Sequence, residues 1–437
     1  MNLRRRQSAV LREEMATAVL DCGLPVTILP KPGFSKKVAI FAARYGSIDL
    51  AFTPPGQAAL ETPPGIAHFL EHQLFKKAGG EDILMEFGRT GASSNAFTDY
   101  CTTAYYFTGS GEFEKNLDLL VGFVSDPYFE EGNVAKEKLI IEQELRMYED
   151  SPDHRLYKNL MQILYTTHPV RIDIGGEVSD IQKIDRDLLE RCYRMFYNPA
   201  NMALLVAGDV DPRKVVEQVG RLLPADRFKA LGEIRRSHPP EPAGVKERVV
   251  RGEMEISRPR VLVGFKDLEI GSRGALEREM QMSVVLDLLF GRASDFYTTH
   301  YESGLIDDSF SYSYNGEEAF GFSLIGGETD DPERLAEEIL LQLHKARKNG
   351  LKAADVERSK RKRLGKFIRS FDSPDGAAFL ILGCIPRGID LFAVPKAIDA
   401  LTPAALNRRR EKHFDERNYA VSILMPRKGI GKRRPGP

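Results

Sequence analysis

The sequence has few cysteines, no excess of charge of either sign and no long hydrophobic run. Its four cysteines, Cys22, Cys101, Cys192 and Cys384, are far apart and form no C-x-x-C pair, which favours buried thiols in a reducing compartment over a disulfide framework. No run of about 18 apolar residues could span a bilayer. No apolar stretch follows the arginines at positions 4–6, so a secretory signal is not predicted. We therefore expect a cytoplasmic protein.

Charge is almost balanced over the whole chain. Lys and Arg total 62 against 63 Asp and Glu, for a formal net charge of -1, so no global field directs the protein to nucleic acid or an anionic membrane. Positive charge gathers locally in residues 427–437, where a solvated end is expected and binding of nucleic acid or a partner is the alternative. The 437 residues are 42% hydrophobic and 29% charged, enough for two domains with separate cores.

Short β-prone runs and helical periodicities alternate along the chain and predict an α+β fold. Two strands are expected on either side of a turn at Lys31-Pro32-Gly33. The further predicted elements of the first half are a helix at 66–77, strand-prone residues at 96–108, helices at 112–125 and 133–150, and a buried strand at 204–207.

The second half repeats this order of elements. It is predicted to have a strand at 261–265, a helix at 276–290, strands within 309–325 and a helix at 332–348. A tract rich in Pro, Arg and Glu separates the halves and is typical of a linker. We therefore predict an N-terminal domain at 15–225, a linker at 226–245, a similarly built C-terminal domain at 246–426 and a tail at 427–437.

The segment His68-Phe69-Leu70-Glu71-His72 carries the clearest chemical signal in a chain with only 8 histidines. It matches the H-x-x-E-H pattern of zinc peptidases. On a helix, these three polar positions share one face, so both histidines can reach one ion with Glu71 beside them. Zinc lowers the pKa of a bound water to about 7, and Glu71 is the candidate base that takes its proton. The alternative is a solvated helix face.

A catalytic zinc site generally has three protein ligands, so a third is needed. The predicted helix at 133–150 offers four glutamates, Glu137, Glu142, Glu144 and Glu149. Glu137 and Glu144 lie seven residues apart and hence on one face. Spacing alone does not choose among the four, and an ordinary glutamate-rich surface helix is the alternative.

Several segments together resemble the pitrilysin and insulinase family of zinc metallopeptidases, which includes the mitochondrial processing peptidase. They are residues 46–49 (GSID), 65–72 (GIAHFLEH), 94–98 (SNAFT), 103–105 (TAY), 143–148 (QELRMY) and 197–202 (YNPANM). The likeness covers most of residues 20–210 and continues more weakly to about 425. It is closest to the short, processing-peptidase-like bacterial members of the family.

The resemblance implies a fold and a set of site residues. The fold would be a half-clamshell of two similar α+β domains, each a mainly antiparallel sheet packed with helices. Glu144 would be the third ligand of one Zn²⁺ per chain, and Glu137 would orient a ligand histidine. The edge strand with Ser94, Asn95, Ala96 and Phe97 would bind the extended substrate by β-augmentation. A plain strand with a polar kink is the alternative.

One departure from the family concerns the second half of the chain. Members supply an arginine and, seven residues later, a tyrosine around a Gly-Leu pair, and here these positions fall on His300 and Asp307. We therefore expect a related chain, a second copy or a different one, to supply them and to close a dimeric chamber.

The resemblance implies a zinc endopeptidase that cleaves short or unfolded peptides inside that chamber. A non-proteolytic structural subunit, or one that only presents peptides, is the alternative. The intact motif favours the enzyme, because scaffolding alone would not require three metal-type residues on one helical face.

Overall fold

The computed structural model describes residues 3–79, 83–228, 232–384 and 387–427. The strands of these residues are β1 (Arg4–Ser8), β2 (Glu13–Val19), β3 (Pro25–Pro30), β4 (Lys37–Ala43), β5 (Ala51–Thr53), β6 (Leu60–Glu61), β7 (Ser93–Thr98), β8 (Thr103–Gly109), β9 (Met202–Gly208), β10 (Arg235–Arg236), β11 (Val249–Met254), β12 (Arg260–Lys266), β13 (Ser311–Gly316), β14 (Gly321–Glu328) and β15 (Tyr419–Pro426). The helices are α1 (Ile66–Leu74), α2 (Ile83–Arg89), α3 (Phe113–Ser125), α4 (Glu131–Glu149), α5 (Pro152–Leu164), α6 (Val178–Ile181), α7 (Arg186–Phe196), α8 (Pro212–Leu222), α9 (Ala275–Phe290), α10 (Asp295–Glu302), α11 (Pro332–Asn349), α12 (Ala353–Arg369), α13 (Pro374–Cys384), α14 (Val394–Asp399) and α15 (Pro403–His413).

The chain divides into two compact units, and each is assembled from separate stretches. Unit 1 comprises Met1–Leu145, Asp173–His238 and Lys366–Phe392. Unit 2 comprises Arg146–Ile172, Pro239–Gly365 and Ala393–Pro437. The chain passes from unit 1 to unit 2 after His238, inside the tract expected to be a linker. The domain bounds drawn from the sequence stay predictions.

Unit 1 is built on a seven-stranded sheet in the order β1-β2-β3-β9-β4-β8-β7. Strands β3 and β9 run parallel, and every other neighbouring pair is antiparallel. One face of the sheet is covered by α1, α3, α7 and α8, whose buried side chains form one core with those of the strands. Strand β7 lies at the edge of the sheet, so the described residues leave its outer side without a partner strand.

Unit 2 is built on a five-stranded sheet in the order β11-β15-β12-β14-β13. The pair β11 and β15 is parallel, and the other three pairs are antiparallel. This order and these directions repeat β3-β9-β4-β8-β7 of unit 1. The predicted fold class, two similar α+β domains with mainly antiparallel sheets, is confirmed.

The predicted helices and strands are present, with ends that differ by a few residues. The predicted helix at 66–77 ends at Leu74, and the run at 96–108 divides into β7 and β8. The two strands around Lys31-Pro32-Gly33 are not neighbours, because β9 pairs between them. The tail expected at 427–437 lies outside the described residues apart from Arg427. In the described part of the chain, no helix has both the length and the apolar character needed to cross a bilayer.

Candidate metal centre

A close backbone contact fixes the start of the helix that carries the H-x-x-E-H segment. Gly65 precedes α1 with φ of 85°, a conformation that glycine adopts without strain. A Cβ atom at Gly65 would lie 2.2 Å from the carbonyl oxygen of Gly175, so only glycine fits. The apolar residues Phe69 and Leu70 of α1 are fully buried. The helix is therefore held in one position, with His68 and His72 on the same polar face.

Helix α4 brings Glu144 to these two histidines. Nε2 of His72 lies 3.2 Å from Oε2 of Glu144, and Nε2 of His68 lies 3.8 Å from its Oε1. One ligand atom from each residue falls within a group no wider than 4.8 Å. Tetrahedral zinc with bonds of about 2.0–2.1 Å holds its ligands about 3.3 Å apart, so two imidazoles and one carboxylate at this spacing fit a zinc ion. Spacing alone left four glutamates open and the family resemblance implied Glu144, which is the one that the structure brings to the histidines.

Glu137 contacts the opposite side of one imidazole. Its Oε1 accepts a hydrogen bond of 2.9 Å from the Nδ1–H of His72, and Nζ of Lys76 lies 2.8 Å from its Oε2. Glu137 is buried and its side chain is 3% exposed, so the ion pair with Lys76 neutralises a charge that burial would otherwise penalise. A carboxylate in this place fixes the ring orientation and directs Nε2 toward the other ligand atoms.

The electrostatics of the group also fit a cation. Burial lowers the pKa of His68 to about 4, and the neighbouring His72 adds to this. Burial lowers the pKa of His72 as well, but hydrogen bonds to Glu137 and Glu144 outweigh it and raise the pKa to about 9. One imidazole is therefore neutral and able to bind a metal, while the carboxylates stabilise positive charge at the other. Positive charge is favoured where a metal ion would lie.

Glu71 is held by a residue that the sequence did not single out. The hydroxyl of Thr98 donates a hydrogen bond of 2.6 Å to Oε2 of Glu71, and it lies 3.3 Å from the hydroxyl of Thr103. Thr103 in turn donates to the carbonyl oxygen of Tyr45 at 2.9 Å. Burial raises the pKa of Glu71, and the bond from Thr98 acts against that shift. The hydrogen bond from Thr98 fixes one carboxylate oxygen of Glu71.

Strand β7 presents the residues predicted to bind substrate next to this centre. It packs against α1, and it ends at Thr98. Asn95 is exposed and its Oδ1 accepts a hydrogen bond of 2.8 Å from the N–H of Ala96. Ser94, Ala96 and Phe97 are half-buried. These four residues therefore line a free sheet edge beside Glu71.

The two positions that differ from the family pattern lie in unit 2. His300 is on α10, buried, with its Nε2 3.6 Å from Oε2 of Glu338. Asp307 follows α10 and is paired with Arg258 at 2.6 Å. Neither side chain offers the guanidinium or phenol that the resemblance implies at these places.

Comparisons with known proteins show which family this chain belongs to. The family described as Insulinase (Peptidase family M16) matches residues 58–177, and Peptidase M16 inactive domain matches residues 183–363. The uncharacterized zinc protease YmfH of Bacillus subtilis is 40% identical over 395 residues, which cover 90% of this chain and 92% of that protein. The chain belongs to the insulinase family, peptidase family M16. The predicted resemblance is thereby confirmed.

Solved structures place the insulinase-family chain among proteins of the same fold. A protein of Alicyclobacillus acidocaldarius described as an M16-like peptidase is 34% identical, with a TM-score of 0.91 and coverage of 98% of this chain and 99% of its own. Pitrilysin shares the fold at 15% identity and a TM-score of 0.75, with 98% of this chain matching 47% of the pitrilysin chain. The matched segment 58–177 contains every residue of the candidate metal centre.

Proposed function

We propose that this chain is a zinc-dependent endopeptidase with its metal on His68, His72 and Glu144. The observation that carries the proposal is the convergence of these three side chains next to a buried glutamate that Thr98 holds in place. A zinc ion bound there would act as a Lewis acid that polarises a peptide carbonyl and acidifies water. The two imidazoles and the carboxylate leave room for a fourth position, as catalytic zinc sites do.

Glu71 is the general base in this proposal. Thr98 occupies its Oε2, so Oε1 remains to accept a proton from the attacking water and deliver it to the leaving amine. Burial raises the pKa of Glu71. The pKa is therefore closer to the pH at which the enzyme works, so the carboxyl group can both accept a proton and donate it. Glu137 keeps the ring of His72 in place during this cycle.

The edge of β7 binds the substrate in an extended form. A peptide would add to the sheet beside β7 through main-chain hydrogen bonds, with Ser94, Asn95, Ala96 and Phe97 as its neighbours. Such binding requires an unfolded or short segment, because a folded substrate has no free strand to offer.

We further propose that a related chain completes the enzyme. The basis is the presence of His300 and Asp307 where the family has arginine and tyrosine, together with the match of 98% of this chain to 47% of the pitrilysin chain. A second copy or a different homologous chain would supply the two side chains and close a chamber around the peptide. We expect the assembly to work in the cytoplasm.

The decisive experiment compares wild type with Glu71→Gln for zinc content and for cleavage of a quenched fluorescent peptide library. Each protein is tested alone and mixed with a related chain from the same organism. We expect about one zinc per chain in both proteins and a loss of cleavage of at least about 10³-fold in the variant. Zinc without cleavage in any mixture would contradict the peptidase and favour a structural or peptide-presenting subunit.

A further inference from the structure

Unit 2 contains a cavity that the proposed peptidase chemistry does not use. Its volume is about 790 Å³, within the range of sites that bind organic ligands. Helix α10, one face of α11 and the start of α12 line it. Along α11 the polar lining positions are Arg334, Glu338, Gln342, Lys345 and Asn349, which recur every three or four residues and so form a continuous stripe.

The lining of the cavity extends along most of α11. Arg334 and Lys345 are eleven residues apart on α11, and at 1.5 Å per residue their Cα atoms are about 16 Å apart. Lys352 extends the lining beyond the end of this helix. A compact anion such as phosphate could reach one of these cations at a time, whereas an extended peptide of about five residues, rising about 3.3 Å per residue, would span two.

Three cations of this lining are available to a ligand. Within the described ranges, Arg334, Lys345 and Lys352 form no ion pair, while the neighbouring Arg358 is bound to Asp355 at 2.8 Å. Unpaired cations along one cavity are suited to carboxylates, which bind them by charge-assisted hydrogen bonds. Glu338, between Arg334 and Lys345 on α11, and Asp295 on α10 also line the cavity and would repel a carboxylate there, so the negative charges of a ligand should be separated by neutral residues.

A buried imidazole forms part of the cavity wall. His300 is 9% exposed, and its ring packs edge-on against Phe296 at 4.4 Å between centroids. Its Nε2 is 3.6 Å from Glu338, too far for a hydrogen bond. Burial lowers the pKa of His300, and Arg334 and Lys345 act in the same direction against Glu338. The ring is therefore neutral near pH 7 and can hydrogen-bond an amide of a bound chain.

We propose that this cavity binds an extended peptide segment with acidic residues at its two ends. The end carboxylates would lie on Arg334 at one side and on Lys345 and Lys352 at the other. The neutral middle would meet His300, Gln342 and Glu338, which offer partners for backbone amides. The proposal concerns binding alone and does not depend on the peptidase activity.

The test measures fluorescence anisotropy of a labelled hexapeptide, Glu-Glu-Ser-Ser-Glu-Glu, on the full-length chain. The chain carries Glu71→Gln so that the probe is not cut. The charge reversal Lys345→Glu with Lys352→Glu is compared with Lys348→Glu with Arg361→Glu, a reversal of the same size on α11 and α12 outside the cavity. We expect the first pair to weaken binding at least tenfold and the second less than twofold.

A milder variant and a competing anion complete the test. Lys345→Gln with Lys352→Gln removes the charges more gently, and it should also weaken binding if the reversal fails to fold. Inorganic tripolyphosphate, added as a competitor, should displace the peptide poorly. Equal losses in both reversal pairs would mean attraction by net charge alone and would overturn the proposal. Tight tripolyphosphate binding without peptide binding would also overturn it, in favour of a phosphate site.

Discussion

The hydrogen bond from Thr98 to Glu71 is a single-residue feature with a measurable consequence. Thr98→Val keeps the shape of the side chain and removes its donor, which leaves a buried carboxylate less well satisfied. We expect kcat for peptide cleavage to fall about 10- to 150-fold, since a hydrogen bond to a charged group contributes about 1.5–3 kcal/mol. KM and zinc content should change little. Steady-state kinetics and metal analysis measure these quantities.

Thr98→Ser and Thr108→Val are the matched controls. Serine restores the donor and should restore kcat. Thr108 is on the neighbouring strand β8, and its hydroxyl is buried without a hydrogen-bond partner among the described residues, so valine there should have no effect on kcat. Equal loss in the serine and valine variants of Thr98 would show that packing, not the hydrogen bond, is responsible.

Glu137 is the second single-residue prediction. Glu137→Gln removes the charge that faces Nδ1 of His72 and the ammonium of Lys76. We expect zinc affinity to fall about 10–100-fold, as is usual for the carboxylate behind a ligand histidine. Competition with a chromophoric zinc chelator measures this. Glu149→Gln, on the same helix but exposed, should leave the affinity unchanged.

At this scale the sequence predicted part of the candidate site. The H-x-x-E-H spacing placed His68, Glu71 and His72 on one helical face, because helix periodicity is a local property. The choice of Glu144 needed the resemblance to a family, since four glutamates on one helix satisfy the same periodicity. Thr98 was not singled out as a site residue, because its contact with Glu71 depends on how α1 packs on β7.

Gly65, the residue before α1, determines how this helix begins. Gly65→Ala places a Cβ atom against the backbone of Gly175 in a conformation with positive φ. We expect the free energy of unfolding to fall by about 2–3 kcal/mol and zinc affinity to fall with it. Gly122→Ala is the control, because its Cβ would meet nothing within 4 Å and alanine favours the helix. Urea unfolding compares the two.

A loop that precedes the sheet of unit 2 is fixed by an ion pair. Nζ of Lys266, at the end of β12, contacts Oε1 of Glu241 at 2.6 Å and the carbonyl oxygens of Pro242 and Gly244 at 3.0 and 2.8 Å. Glu241 also accepts hydrogen bonds from three backbone N–H groups of residues 166–168. The carboxylate therefore holds two separate segments on one strand end.

This ion pair predicts a pH-dependent stability. Burial raises the pKa of Glu241, but Lys266 and the three N–H groups outweigh it and lower the pKa from 4.5 to about 2. The stabilisation is therefore complete above pH 4.5 and is lost as the pH falls from 4.5 to 2. Glu241→Gln should lower the free energy of unfolding by about 3 kcal/mol at pH 7.

The difference from wild type should shrink as the pH falls through that window. Unfolding in urea at several pH values measures it, and Glu247→Gln, exposed in the same loop, is the control. A difference that stays constant between pH 7 and pH 2 would show that the charge of Glu241 is not the cause.

Most helices and strands could be predicted from the sequence, but their pairing could not. Residues of α11 and α3 repeat at helical spacing, which is visible along the chain. The separation of β3 from β4 by β9 depends on a partner more than 150 positions away, as the pairs Ile28 with Val206 and Ile40 with Leu205 show. The order of strands in unit 2 also depends on distant pairing, because β15 lies between β11 and β12.

Metal binding should be visible in the stability of the whole molecule. A ligand that binds only the folded state stabilises it by about 2.7 kcal/mol at one hundred times its Kd. We therefore expect EDTA to lower the midpoint of thermal unfolding of the wild-type chain and added zinc to restore it. His72→Ala should show neither effect. Differential scanning calorimetry records the midpoints, and an equal response of the variant would place the metal elsewhere.

Unit 1 is assembled from stretches that lie far apart along the chain, and this affects how it folds during synthesis. Helix α13 buries Ala377, Ala378, Ile381 and Leu382 and packs on the central strands β4 and β9. All strands of this sheet come from the first 208 residues of the chain. A ribosome must therefore translate the whole of unit 2 up to Gly365 before the last layer of unit 1 exists. The face of the sheet that α13 covers therefore stays exposed for that interval, and the folding of unit 1 is completed only late in synthesis.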